Sequence, residues 1–235
     1  MEETCPKCQG TGWVLNRAGG REVAVRCSCR RRDASARRLE NSGIPARFAG
    51  VELKGYLPAR ENPTQKQARQ VAERFVAEYP AQAGKGLLFQ GPTGVGKTRL
   101  ICAIANQLIA EKQVDVQYID WNDLVREMRS GEDTSNRDFV SIHHLIQRLS
   151  TAELLLFDEF GASRPSPYVE DNIYYIVNRR YNEAMITLFA TNFYDRRIGA
   201  EDILTDRVSA RIRSRLYEMA STVEIRGADY RQKYQ

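Results

Sequence analysis

The chain has 235 residues, of which 42% are hydrophobic and 28% are charged, and its 35 Lys and Arg residues against 30 Asp and Glu residues give a formal net charge of +5. This length suits one α/β domain with a small appendage, and the modest positive charge permits nucleic acid binding without requiring it. No apolar run approaches the roughly 20 residues that cross a bilayer, and the N-terminus has no signal-peptide core, so we expect a cytoplasmic protein without a membrane partner.

Four of the five cysteines lie near the N-terminus and predict a zinc site. They form two close pairs, Cys5 with Cys8 and Cys27 with Cys29. In a reducing cytoplasm these thiols would not persist as disulfides, and four thiolates suit one tetrahedral Zn²⁺. We therefore assign residues 1–32 to a small zinc-ribbon-like domain that the metal stabilises. The alternative is four unliganded thiols, because the second pair has Cys-x-Cys rather than the usual Cys-x₂-Cys spacing.

The next segment, residues 33–60, has the composition of a linker with one short helix over 34–41. Arginines at positions 30, 31, 32, 37 and 38 form a basic cluster at its start. Such a cluster is more often a solvated face than a DNA contact. Helical spacing of apolar residues resumes over 62–78, and residues 61–235 form the principal domain.

Residues 91–98 fit the phosphate-binding pattern Gly-x₄-Gly-Lys-Thr. An apolar run at 86–89 predicts a strand before the loop, and apolar residues at helical spacing over 100–109 predict a helix after it. This context argues against an isolated glycine turn. The loop consists of Gly91, Pro92, Thr93, Gly94, Val95, Gly96, Lys97 and Thr98. We expect Lys97 to reach the β- and γ-phosphates of ATP and Thr98 to coordinate the bridging Mg²⁺.

A second strand, predicted over 154–157, ends in two acidic residues. Its four consecutive apolar residues are typical of a central strand that is covered on both faces. Asp158 is then placed to hold Mg²⁺, and Glu159 is placed to polarise the attacking water. This acidic pair favours hydrolytic motor-type ATPases over switch GTPases.

A third strand, predicted over 185–190, is followed by Asn192. If it lies between the other two, Asn192 falls beside the γ-phosphate. A further strand over 114–119 and helices over 123–128 and 138–149 complete the pattern. The order of these elements predicts an α/β fold with a doubly wound, mostly parallel sheet and a ligand at the carboxyl ends of the strands.

Over most of its length the chain resembles the DnaC/DnaI/IstB group of AAA+ ATPases. The resemblance includes residues 43–48, the loop at 91–98, residues 157–161, Thr191-Asn192, Ser214-Arg215-Leu216 and the sequence Gly-Ala-Asp-Tyr-Arg at 227–231. It implies a P-loop NTPase with a three-layer α/β/α core over 61–235 and no full lid domain, since few residues follow Asn192. It also implies a homo-oligomer that hydrolyses ATP at subunit interfaces.

Three arginines gain roles from this resemblance. In the family an arginine of the C-terminal helix reaches the γ-phosphate in a neighbouring subunit, and Arg215 is the first choice here, with Arg211 the second. A permanent planar cation suits this role better than lysine does. Arg231 stands where a second sensor would be expected.

The resemblance also implies a function. Loaders of the DnaI type carry a cysteine-rich zinc domain that docks on the replicative helicase, so the four cysteines favour an ATP-dependent loader of a DnaB-type helicase. The family grips single-stranded DNA with helices before the acidic strand, here through Arg126, Arg129, Arg137 and Arg148, and DNA would stimulate the ATPase.

Three alternatives remain open. An IstB-type transposition helper would assemble on duplex DNA and recruit a transposase. A small-molecule kinase would need an acceptor pocket and a lid. A zinc-dependent DNA-binding module with a vestigial ATP site would be indifferent to the loss of Lys97.

Overall fold

The computed structural model describes residues 5–18, 21–80, 84–130, 139–196 and 202–231. The strands are β1 (Trp13–Ala18), β2 (Arg21–Arg26), β3 (Gly86–Gln90), β4 (Val116–Asp120), β5 (Leu154–Asp158), β6 (Ile186–Thr191) and β7 (Ala220–Glu224). The helices are α1 (Ser28–Asn41), α2 (Pro63–Glu78), α3 (Lys97–Lys112), α4 (Trp121–Ser130), α5 (Phe139–Thr151), α6 (Pro167–Asn182), α7 (Leu204–Arg207) and α8 (Ala210–Met219). None of the helices in these ranges is long and apolar enough to span a membrane.

Strands β3 to β7 form one parallel sheet in the order β4-β5-β6-β3-β7. Every residue of β3, β5 and β6 is buried, as their continuous apolar runs predict. β6 lies between β3 and β5, which confirms the strand order that the role of Asn192 requires. The edge strand β7 has no such sequence signal, because Ser221 and Thr222 are exposed and interrupt its apolar pattern.

Helices cover both faces of this sheet and give the predicted α/β/α layers. The pleat sends alternate side chains of β5 to opposite faces. Leu154 and Leu156 join the apolar cluster of α2 and α3, whereas Leu155 and Phe157 join that of α4, α5, α6 and α8. After β6, the described residues contain only α7, α8 and β7, so this part of the chain has no helical lid domain.

The N-terminal residues form an antiparallel hairpin, β1 with β2, flanked by the four cysteines. α1 follows directly and begins at Ser28, earlier than the predicted helix over 34–41, so the predicted boundary between residues 32 and 33 falls inside it. α1 packs on α3, where Ser35 Oγ donates to Ile109 O (3.3 Å), and Arg38 Nη1 donates to Oε1 of Gln113, the residue after α3 (3.2 Å).

Residues 42–60 also pack on the core of the principal domain. They contain two 3₁₀ turns, Ala46–Phe48 and Leu53–Gly55. Asn106 Nδ2 on α3 donates to the carbonyl oxygens of Phe48 and Val51, both at 2.9 Å. The predicted linker therefore runs along the core and reaches the side of the phosphate loop.

Candidate nucleotide and metal sites

The phosphate loop, residues 91–98, is a tight turn between β3 and the N-terminus of α3. Gly94 and Gly96 have φ angles of 80° and 97°, in the left-handed region that favours glycine. Neighbouring atoms also exclude a side chain: a Cβ at Gly94 would lie 1.9 Å from Asp229 Oδ1, and a Cβ at Gly96 would lie 2.7 Å from the Tyr56 ring. The loop can therefore close onto the positive end of the α3 dipole, an arrangement that binds phosphate.

The Lys97 ammonium lies inside this loop. Its Nζ donates to the carbonyl oxygens of Gly91 (2.9 Å) and Pro92 (2.8 Å) and to Asn192 Oδ1 (2.6 Å). Burial lowers the pKa of Lys97 to about 8, against the opposing effect of the carboxylates at the end of β5. An anion brought to this nitrogen would raise that pKa again, so the site is electrostatically suited to phosphate.

Asp158 ends β5 and lies beside the loop. Thr98 Oγ1 donates to Asp158 Oδ1 (3.1 Å), and the Tyr118 hydroxyl donates to Asp158 Oδ2 (2.9 Å). Burial raises the pKa of Asp158, while these two hydrogen bonds lower it. A hydroxyl and a carboxylate in contact are hard oxygen ligands, so Thr98 and Asp158 fit the predicted Mg²⁺ site. No role is predicted for Tyr118 from the sequence, because nothing distinguishes it from the other residues of its strand.

Glu159 and Asn192 are joined directly. Asn192 Nδ2 donates to Glu159 Oε2 (2.5 Å), while the other end of the same amide accepts from Lys97. Glu159 has a φ angle of 48°, which is rare for a residue with a side chain, and the turn is held by Phe160 N donating to Ala190 O (2.8 Å). Burial and then the adjacent carboxylate raise the pKa of Glu159. The ends of β3, β5 and β6 thus place a cation, an amide and an acid in one hydrogen-bonded series.

A cavity of about 450 Å³ opens beside this series. Part of its wall comes from residues without a predicted site role, namely Arg47, Phe48, Tyr56, Leu57 and Gln65. The Tyr56 hydroxyl donates to Val95 O (3.1 Å) in the phosphate loop. Family resemblance draws attention to residues 43–48, but no local pattern identifies Tyr56.

The C-terminal segment closes another side of the cavity, which Tyr230 and Arg231 line. Tyr230 N donates to Gly94 O (3.0 Å), and Asp229 Oδ1 accepts from Arg231 N (2.9 Å). The segment therefore packs directly on the phosphate loop. The role of Arg231 as a second sensor stays a prediction.

Arg211 and Arg215 lie on α8 and do not line this cavity. Their guanidinium groups lie 4.5 Å and 4.7 Å from the centroid of the same Tyr174 ring. Arg215 Nε donates to Asn178 Oδ1 (2.7 Å), and Arg211 Nη2 pairs with Asp171 Oδ1 (3.1 Å). Both arginines of α8 therefore pack on one aromatic ring of α6 and form a basic patch where the two helices meet.

The four N-terminal cysteines come together, with all their Sγ atoms within 4.8 Å of one another. Cys5 Sγ lies 3.9 Å from Cys27 Sγ, and Cys8 Sγ lies 3.5 Å from Cys29 Sγ. Tetrahedral zinc with bonds of about 2.3 Å holds its sulfurs about 3.8 Å apart, so the cluster could hold one Zn²⁺. Hydrogen bonds from backbone N–H groups, first that of Cys8, lower the pKa of Cys5 and favour its thiolate, whereas the neighbouring thiols, first that of Cys8, raise the pKa of Cys29.

The position of β6, between the phosphate-loop strand and the acidic strand, defines the class of the protein. It is a P-loop ATP-binding protein with an AAA+ core.

Comparisons with known proteins narrow this class. The sequence profile of the family described as IstB-like ATP binding protein matches residues 30–235. The chain belongs to this family.

Similar proteins include named helicase loaders. Replicative helicase loader DnaC of Buchnera aphidicola subsp. Schizaphis graminum (strain Sg) is 29% identical over 176 residues, which cover 74% of this chain and 68% of that protein. Replicative helicase loader DnaI of Bacillus subtilis (strain 168) is 26% identical over 159 residues, which cover 63% of this chain and 48% of that protein. The crystal structure of the DnaC helicase loader is similar with a TM-score of 0.65 at 26% identity, covering 77% of this chain and 99% of that one.

Proposed function

We propose that this protein is an ATPase that loads a replicative DNA helicase onto single-stranded DNA in the cytoplasm, during initiation of replication. The hydrogen-bonded series of Lys97, Asn192 and Glu159 carries the ATPase part of the proposal. The names of the DnaC and DnaI relatives support the loader part. Because the matches span about two thirds of the DnaC relative and about half of the DnaI relative, the activity of those whole proteins is proposed for this chain.

ATP would bind with its phosphates in the phosphate loop. Phosphate oxygens would replace carbonyl partners of the Lys97 ammonium, whose three donors are already directed at oxygen atoms. Thr98 and Asp158 would hold Mg²⁺, which neutralises phosphate charge. The adenosine would then extend into the cavity lined by Tyr56 and Phe48.

Hydrolysis would use Glu159 as the base. A water oxygen attacks the γ-phosphorus, the bond from that phosphorus to the oxygen of ADP breaks, and the water proton passes to the Glu159 carboxylate. The raised pKa of Glu159 makes its carboxylate a better proton acceptor than an exposed one. Asn192 donates to this carboxylate and accepts from Lys97, which suits it to orient the water or to sense the γ-phosphate.

Nucleotide affinity should fall as the pH rises above about 8. Lys97 without nucleotide loses its proton near this pH, whereas phosphate binds the ammonium form. Binding then takes up a proton, so affinity should fall by up to about tenfold per pH unit. Titration with a fluorescent ATP analogue across this range measures the slope. Lys97→Met, which has no proton to gain, should bind weakly and lack the slope; the same slope in that variant would assign the effect to another group.

Arg215 would complete the site of a neighbouring subunit in an ATP-bound homo-oligomer, with Arg211 as second choice. Both arginines lie outside the cavity of their own chain, which supports a role in trans. The Tyr174 ring and Asn178 hold the Arg215 guanidinium in a defined orientation before any neighbour arrives.

Arg215→Ala should lower ATP hydrolysis by about 1,000-fold or more, with little change in ATP affinity. Mixing Arg215→Ala with Lys97→Met should restore part of the activity, because an interface between the two variants can combine an intact loop with an intact arginine. Phosphate release from the mixture measures this complementation. Arg179→Ala, which removes an arginine of the neighbouring helix α6, should have normal activity alone. A mixture no more active than its components would exclude Arg215 as an arginine supplied in trans.

Single-stranded DNA would contact the helices between β4 and β5. Arg126 and Arg129 on α4 and Arg148 on α5 are exposed, which supports phosphate contact. Arg126 pairs with Asp123 (2.7 Å), and Arg129 Nη2 donates to Arg164 O (3.4 Å). Arg137 lies outside the described residues.

The zinc domain would dock on the helicase, and a pull-down from the source cell tests this. The full chain should retain the replicative helicase, and zinc chelation should release it.

Single-stranded DNA should stimulate ATP hydrolysis by the pure protein. If no helicase is retained and long duplex DNA is preferred, the protein is instead a transposition helper.

A further inference from the structure

A second cavity, which we call the arginine groove, lies between the β1–β2 hairpin, α1 and the end of α3. Its volume is about 1260 Å³, and it shares no lining residue with the nucleotide cavity. Trp13 and Arg26 of the hairpin form one wall, and Gln113 closes the groove at the core. The remaining lining comes mostly from one face of α1.

Positive charge dominates this groove. Its charged lining residues are Arg26, Arg30, Arg31, Arg37, Arg38 and Asp33. Arg38 is paired with Asp115 (3.3 Å), but the other four arginines form no ion pair with any residue in the described ranges. Positions 30, 34, 37, 38 and 41 repeat on one face of α1 over about 16 Å. The groove therefore carries an excess of positive charge along its length, which suits a polyanion.

Trp13 gives the groove a feature that charge alone does not explain. Its side chain is 48% exposed, although a tryptophan of this size usually lies in a core. The Arg26 guanidinium lies 6.0 Å from the ring centroid. An exposed aromatic ring beside several arginines is the combination that binds single-stranded nucleic acids, because bases stack on the ring and phosphates pair with the guanidinium groups. An acidic peptide would use the arginines but not the ring.

We propose that the arginine groove binds single-stranded nucleic acid, with Arg30, Arg31 and Arg37 on phosphates and Trp13 stacked on a base. This contact goes beyond the proposed function, which places DNA on the helices between β4 and β5. The bound nucleic acid would lie where the β1–β2 hairpin, with its four cysteines, joins the ATPase core.

Salt-dependent binding tests the proposal on the full, zinc-loaded chain. Fluorescence anisotropy with an oligothymidylate of about 12 nucleotides gives the affinity at several salt concentrations. The combined variant Arg30→Ala, Arg31→Ala, Arg37→Ala should reduce the slope of log affinity against log salt by about 2, since each phosphate contact to a single strand contributes about 0.7. Trp13→Ala should lower affinity about tenfold and leave the slope unchanged.

Arg32→Ala is the matched control. Arg32 is an exposed arginine on α1 that does not line the groove, so its loss should change neither quantity. An unchanged salt slope in the triple variant would overturn the proposal. So would direct binding of labelled polyglutamate by a protein that shows no measurable oligonucleotide binding, which would make the groove a site for an acidic peptide.

Crosslinking of the unaltered protein tests the same contact without any risk of misfolding. A strand that carries 5-iodouracil should crosslink to Trp13 on irradiation, and mass spectrometry locates the modified peptide. Crosslinks confined to residues 121–151 would contradict the groove and leave the proposed loader intact. Crosslinking at Trp13 in a protein that retains no helicase would support the groove and reject the loader.

Discussion

Replacing Glu159 with Gln should lower the rate of ATP hydrolysis by about 100- to 10,000-fold while ATP still binds. Glutamine has the same shape, and its amide oxygen can still accept from Asn192 Nδ2, so the hydrogen-bonded series survives. The amide cannot take the proton of the attacking water, however. Phosphate release and the dissociation constant of a fluorescent ATP analogue measure the two effects separately.

Glu183→Gln is a suitable control for this experiment. Glu183 is an exposed carboxylate that pairs with Arg179, so its replacement should change neither hydrolysis nor binding. If Glu159→Gln hydrolyses ATP at the normal rate, Glu159 is not the base, and the adjacent Asp158 becomes the acid to test.

Replacing Cys8 with Ser should release zinc and unfold the N-terminal hairpin without loss of ATP binding. Cys8 is buried and its Sγ lies 3.5 Å from that of Cys29, so its loss breaks the four-thiolate set. Structural zinc supplies about 10–16 kcal/mol in small domains, far more than a short hairpin gains from its own contacts. Metal analysis should find one zinc per chain before the change and none after it, and hydrogen exchange should accelerate within residues 5–26.

Cys102→Ala is the matched control for the metal analysis. Cys102 is fully buried on α3, outside the cysteine cluster, so this variant loses a thiol but should keep its zinc. Retention of a full zinc equivalent by Cys8→Ser would mean that Cys8 is not a ligand.

The strands nearest to the nucleotide were predictable because burial leaves a simple pattern. Strands covered on both faces need continuous apolar residues, and those runs predict β3, β5 and β6 to within about one residue. Parallel strands carry their ligands at the carboxyl ends. Lys97, Glu159 and Asn192 could therefore be predicted to lie together from positions far apart in the sequence.

The rest of the cavity wall could not be predicted in the same way. Tyr56 reaches the phosphate loop because residues 42–60 follow α3, and this path depends on single hydrogen bonds such as that from Asn106 to Phe48. Arg47 lies in the same segment. Such contacts leave no periodic apolar pattern in the sequence. A packed segment of this kind therefore cannot be distinguished from a linker by its composition. Helix α1 was predicted too short because its arginines mask the apolar spacing.

The position of β3 also determines when the nucleotide site can form during synthesis. β3 pairs with β6 and β7, which are translated long after it, and Gly94 accepts a hydrogen bond from the distant Tyr230. At roughly 5–20 residues per second, the ribosome needs about 7 to 27 seconds to translate from residue 98 to residue 231. The cysteine hairpin, whose partners are close in sequence, can fold around its metal long before that. A nascent chain could thus acquire its zinc-bound end well before it can hold ATP.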